Sequence, residues 1–138
     1  MANRIPTYVD ATSEKISEVP AGDFLSTEGN GLAEGHSALT GTTPSISLNT
    51  GGSFSLLLSG NTTISFADAP ATGSAGFSLK VTQDAGGSGF TVTWPASVKW
   101  PTGTAPVLTA TANKSDVFVF TTDDGGASFV GLVAGKDI

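Results

Sequence analysis

From residue 45 onward, apolar and polar side chains alternate with a period of two, the spacing of a strand with one buried face. Ser45-Ile46-Ser47-Leu48-Asn49 alternates, and Phe54-Ser55-Leu56-Leu57-Leu58 follows Gly51-Gly52. Thr62-Thr63-Ile64-Ser65-Phe66 follows a Gly60-Asn61 turn. Phe77-Ser78-Leu79-Lys80-Val81-Thr82 and Phe90-Thr91-Val92-Thr93-Trp94 alternate cleanly, the second after a glycine-rich turn at 86–89. Asp116-Val117-Phe118-Val119-Phe120-Thr121 and Phe129-Val130-Gly131-Leu132-Val133 form a final pair. About seven or eight short strands at regular spacing predict an all-β sandwich or barrel. One apolar and one hydroxyl-rich face per strand favours antiparallel sheets. The expected fold is an antiparallel, jelly-roll-like β-sandwich over residues 45–138. The run 116–120 is apolar on both faces after its first residue, which suits a central strand or a subunit interface. No segment carries a helical period; residues 11–19 come closest.

Upstream of residue 45 the pattern is different. Residues 1–36 hold Asp10, Glu14, Glu18, Asp23, Glu28 and Glu34, half of the chain's 12 acidic residues. Their apolar side chains are sparse, and Pro6, Pro20 and several glycines break the segment. Such a stretch cannot enclose a core of its own. A hairpin of Thr7–Asp10 with Lys15–Val19 would be marginal in water. The expectation is an extended N-terminal arm that becomes ordered by lying on something else. Its contact residues would be Ile5, Tyr8, Val9, Ile16, Val19, Phe24 and Leu25. Residues 37–44 read as a linker by composition.

Composition narrows the function classes. The chain of 138 residues has room for one core. It has no cysteine, so neither a disulfide framework nor a thiolate metal site is available. Acidic residues outnumber basic ones 12 to 6, which argues against a phosphate-binding surface and hence against nucleic acid as partner. No apolar run approaches the length of a membrane span, and the first residues lack the apolar core of a secretory signal. Only 13% of residues are charged, and Ser, Thr and Gly fill the gap.

Three features carry candidate chemistry. Thr122-Asp123-Asp124-Gly125-Gly126-Ala127-Ser128-Phe129 fits the Asp-box pattern, in which Asp124 would bond backbone amides within a turn and Gly126 would take positive φ. That reading is structural. A calcium site at Asp123 and Asp124 is the alternative, and it lacks the further carboxylates such sites collect. Trp94-Pro95 and Trp100-Pro101 form the second feature. Trp94 is in phase with Phe90 and Val92, so it reads as core, whereas Trp100 lies in a short loop and is the residue for a glycan contact if one exists. His36 is the only histidine and stands beside Glu34 without a nucleophile, phosphate loop or ligand cluster around it. No residue is assigned to catalysis, metal or cofactor binding.

The stretches Leu57–Thr63, Leu79–Asp84, Thr91–Pro101, Gly103–Pro106, Asp116–Phe118 and Thr122–Gly135 together resemble a domain that recurs in virion proteins of tailed bacteriophages. The arm, through Tyr8–Thr12 and Pro20–Asp23, is similar to N-terminal segments of phage fibre and decoration proteins. The chain lacks the shaft of a full fibre: no collagen-like run, heptads or long repeats. The resemblance implies a non-enzymatic capsid decoration protein, of cement or head-fibre type, assembled in the host cytoplasm and carried on the virion. Its partners would be the major capsid protein or another virion protein, and copies of itself as a homotrimer. The alternative is a tail-fibre or receptor-binding tip that recognises host-surface glycans.

Overall fold

The computed structural model describes residues 35–138, and the arm residues Ile5, Tyr8, Val9, Ile16, Val19, Phe24 and Leu25 lie outside them. The compact unit that holds the described strands begins at Glu34. Its strands are β1 (His36–Leu39), β2 (Ser45–Ser47), β3 (Ser53–Leu58), β4 (Thr62–Thr63), β5 (Ser65–Ala67), β6 (Ala75–Gln83), β7 (Val92–Thr93), β8 (Val98–Lys99), β9 (Ser115–Thr122) and β10 (Phe129–Gly135). Two short 3-10 turns, Leu48–Thr50 and Pro101–Gly103, complete the regular structure. The all-β expectation is met.

The chain works back and forth between two sets of strands. One is a six-stranded sheet in the order β1-β3-β6-β9-β10-β8. The other contains β2, β4, β5 and β7, with β2 paired to β5 and β4 to β7. Residues 62–65 join these two pairs, because their amides alternate between neighbours. Thr62 and Ile64 donate to the carbonyls of Thr91 and Thr93, while Thr63 and Ser65 donate to Thr42 and Pro44. The single strand expected at 62–66 is thus one extended run divided between two partners.

This winding overturns the antiparallel arrangement. Strands β1, β3 and β6 run parallel to one another, because each return to the sheet follows an excursion through the other set. A parallel neighbour requires such a crossover, here supplied by a strand rather than a helix. Only β6-β9 and β9-β10 pair antiparallel within the large sheet. The sheet is mixed, not the antiparallel jelly-roll-like form expected.

The linker expectation for 37–44 also fails at Ser37, Ala38 and Leu39, which with His36, the last residue assigned to the arm, form edge strand β1. It has one large apolar side chain, Leu39, which packs against the core. Backbone pairing to β3 and the His36 ring bonds to Ser53 (3.2 Å) and Ser55 (3.1 Å) hold it. A short polar strand is a usual way to end a sheet.

The core lies between the two sets. Phe54, Leu56 and Leu58 of β3 and Phe77, Leu79 and Val81 of β6 point inward, as their alternation predicts, and Phe118 and Phe120 supply the inward row of β9. The register sets Phe77 opposite Phe120, and their rings stack with centroids 5.0 Å apart. Phe66 of β5 meets Phe77, Phe120 and Phe129 edge to face, which fastens the second set of strands onto the sheet.

Candidate functional site

The Asp-box turn forms as its residue pattern predicts. Asp124 accepts the Thr122 hydroxyl (2.9 Å), the Ser128 amide (2.9 Å) and the Ser128 hydroxyl (2.6 Å). The Thr122 hydroxyl oxygen accepts the Gly126 amide in turn (3.0 Å). Gly125 and Gly126 both take positive φ, the conformation that glycine adopts without steric cost. The Ser128 hydroxyl and amide, then the Thr122 hydroxyl, pull the Asp124 carboxyl down to a pKa of about 2. Both carboxylate oxygens are occupied by donors of the turn itself, so Asp124 acts as the clasp of the β9-β10 hairpin. Among the described residues, no group of three His, Asp or Glu side chains is placed to hold a metal ion.

Trp94 and Trp100 are both half-buried and pack together, with ring centroids 5.2 Å apart. Trp94 also meets Phe118 at 4.9 Å, in accord with its reading as core. Trp100 reaches the same aromatic group, at 6.0 Å from Phe118 and 5.7 Å from Phe120. Gly131 of β10 makes room for it, since a Cβ there would lie 2.8 Å from the Trp100 ring. Trp100, the residue for a glycan contact if one exists, thus packs part of its ring onto the aromatic core and keeps part of it exposed.

Gln83 and Asp116 are buried polar groups that the sequence did not single out. Gln83, 2% exposed, ends the inward row of β6. Its amide nitrogen donates to the carbonyls of Phe90 (2.9 Å) and Thr109 (3.1 Å), and its oxygen accepts the Phe90 amide (3.1 Å). It replaces a ladder for the loop at 84–91, which explains why the strand expected at 90–94 shortens to Val92–Thr93. Asp116, also 2% exposed, begins the inward row of β9. It accepts the Thr109 amide and hydroxyl (2.7 Å each) and the Asp137 amide (3.0 Å). Burial alone would raise its pKa. The bonds from Thr109 and Asp137 and the charge of Lys136 outweigh burial and hold it below the ordinary value. The signal for both was a polar residue in phase with an apolar row.

Among the described residues, the outer face of the six-stranded sheet is a broad accessible surface. It presents Ser53, Ser55, Ser78, Thr82 and Thr121 around an aliphatic strip of Val117, Val119, Val130 and Leu132. Leu57, Val130 and Leu132 are 53%, 49% and 46% exposed. Lys80 stands beside Val117, and Lys99 beside Val130. His36 occupies the β1 edge of the same face. Such a face has chemistry for contact: hydroxyls, methyl groups and few charges. No helix among the described residues is long and apolar enough to cross a membrane. No family model matches the chain, and neither a curated protein nor a solved structure shows significant similarity to it.

Proposed function

We propose that this chain is a structural part of a larger assembly, a virion protein of the phage decoration type that attaches through residues 1–34. We read its two sets of strands as a small mixed β-sandwich. The observation that carries the functional reading is how the polar groups are used. Asp116, Gln83, Asp124, Thr122 and Ser128 are all consumed by turns and clasps, while a broad, weakly charged sheet face stays open. That is the economy of a scaffold, whose work is done by surfaces rather than by a reacting centre. The sequence resemblance over residues 45–138 supports the same reading.

Under this reading the acidic arm lies across or between subunits of the shell and adds main-chain bonds and apolar contacts there. The domain at 35–138 projects from that anchor, and many copies per shell multiply a modest affinity. The partners are the major capsid protein, or another virion protein, and further copies of the chain. The glycan alternative is weaker, because part of the Trp100 ring is committed to packing.

The test is deletion of residues 1–34, which leaves β1 intact. The truncated protein should keep a cooperative thermal transition and lose binding to capsids. Truncated protein that still decorates particles would overturn the attachment role of the arm.

A further inference from the structure

The open face has a geometry that fits a second copy of itself. Along β6, Gly76, Ser78 and Lys80 share this face. Ser78 stands beside Val119, and Val119 beside Leu132, so these three define one level across the sheet. Lys80 lies one step to one side of that level. Gly76 lies one step to the other, paired with Thr121. The missing side chain at Gly76 helps to open a recess of about 430 Å³, lined by Ser74, Thr121, Asp123, Ser128 and Val130.

A two-fold axis lying in the interface, across the strands at the level of Ser78, turns each β6 end for end. It places Lys80 of one copy over Gly76 of the other, at the recess that Asp123 lines. It also brings Val119 and Leu132 onto their own counterparts, an arrangement in which the same patch serves both partners. The lysine stem covers apolar surface while its ammonium reaches the carboxylate. Among the described residues, the strand positions of this face hold lysines and a histidine but no acid. Asp123, just beyond β9, therefore supplies the complementary charge.

We infer that this face is the contact between two copies of the chain, packed face to face about a two-fold axis, with Lys80 of each copy seated in the Gly76 recess of the other beside Asp123. Strand spacing and rise give the face roughly 500 Å². A standard interface buries about 800 Å² per partner, so this one sits at the weaker, concentration-dependent end. The two sheets would lie about 10 Å apart with their strands about 30° from alignment. The pairing is two-fold, where the sequence resemblance led to a trimer. It rests on the assembly reading for its setting, but it forms in the purified chain without a particle.

Sedimentation equilibrium of the full chain tests it. The wild type should show a reversible monomer–dimer equilibrium. Lys80→Glu and Asp123→Lys should each weaken it roughly tenfold or more by placing like charges together. The double variant should recover most of the loss. Leu132→Glu should abolish the dimer, and thermal melts of all variants should stay close to wild type. A wild type that remains monomeric or forms a trimer would overturn the proposal. So would a dimer indifferent to the single charge reversals, or a double variant as weak as either. Particle binding is scored separately, so failure of the arm's role leaves this result standing.

Discussion

On one side of β6 stand Phe77, Leu79, Val81 and Gln83; on the other stand Gly76, Ser78, Lys80 and Thr82. The backbone and register are common to both rows. The inward row meets β5 and the loops at 90 and 109, and its members are buried. The outward row pairs laterally with Ser55, Val117 and Val119, and the aliphatic residues of its face stay partly in water. Under the proposed reading, stability and contact are separated onto the two faces of one sheet. Changes on the inner face should unfold the domain, and changes on the outer face should alter what it touches.

The largest test of that division is Phe120→Ala. Phe120 is fully buried and packs against Phe77, Phe66 and Trp94. Its truncation should cost about 3–5 kcal/mol in equilibrium denaturation. Val119→Ala, one residue away on the other face, should cost well under half of that.

Asp116→Ala comes next. It leaves the Thr109 and Asp137 amides, both in part-buried bonds, without their acceptor, at about 1 kcal/mol for each, toward the low end of the cost of an orphaned donor. Hydrogen exchange at those two amides should accelerate before exchange in β6 does. An unchanged exchange rate would show that the clasp contributes nothing to closing the C-terminus.

Acid should act through the same carboxylates. Asp124 has a pKa of about 2 in the folded chain, below the roughly 3.9 of an unfolded aspartate. Its contribution is therefore present above about pH 4 and is lost as pH falls toward 2. Asp116 is lowered too and adds in the same direction. Denaturation midpoints measured across that window should fall for wild type and fall less for Asp124→Asn. A parallel pair of curves would refute the role given to Asp124.

The smallest effect belongs to the outer face. Leu57→Ser and Ser55→Ala should each change stability by no more than about 0.5 kcal/mol. A large loss at either position would mean that this face is packed within the domain's own fold, and the comparison between the two faces would collapse.

The period-two rows of β3 and β6 showed which side chains point inward, because alternation is a local property of an extended backbone, whereas β9, apolar on both faces from Val117 to Phe120, left its inward row to the fold. The Asp-box turn was legible for a similar reason: its bonds close within eight residues. Trp94 could be read as core because it keeps phase with Phe90 and Val92.

Tertiary structure decided the rest. Alternation says which face is buried but not which way a neighbour runs, so the parallel pairing of β1, β3 and β6 was invisible. Residues 62–65 serve two strands at once, and no local pattern records that. His36–Leu39 became a strand because an edge of β3 was free to pair with it. Gln83 and Asp116 found their partners through loops brought close by the fold, and Gly131 made a place for Trp100. Sequence alone determined the faces of β3 and β6. The crossovers determined their neighbours and, among the described residues, left one face of the large sheet accessible, because strand pairing and loop closure join residues that no short window of the chain contains together.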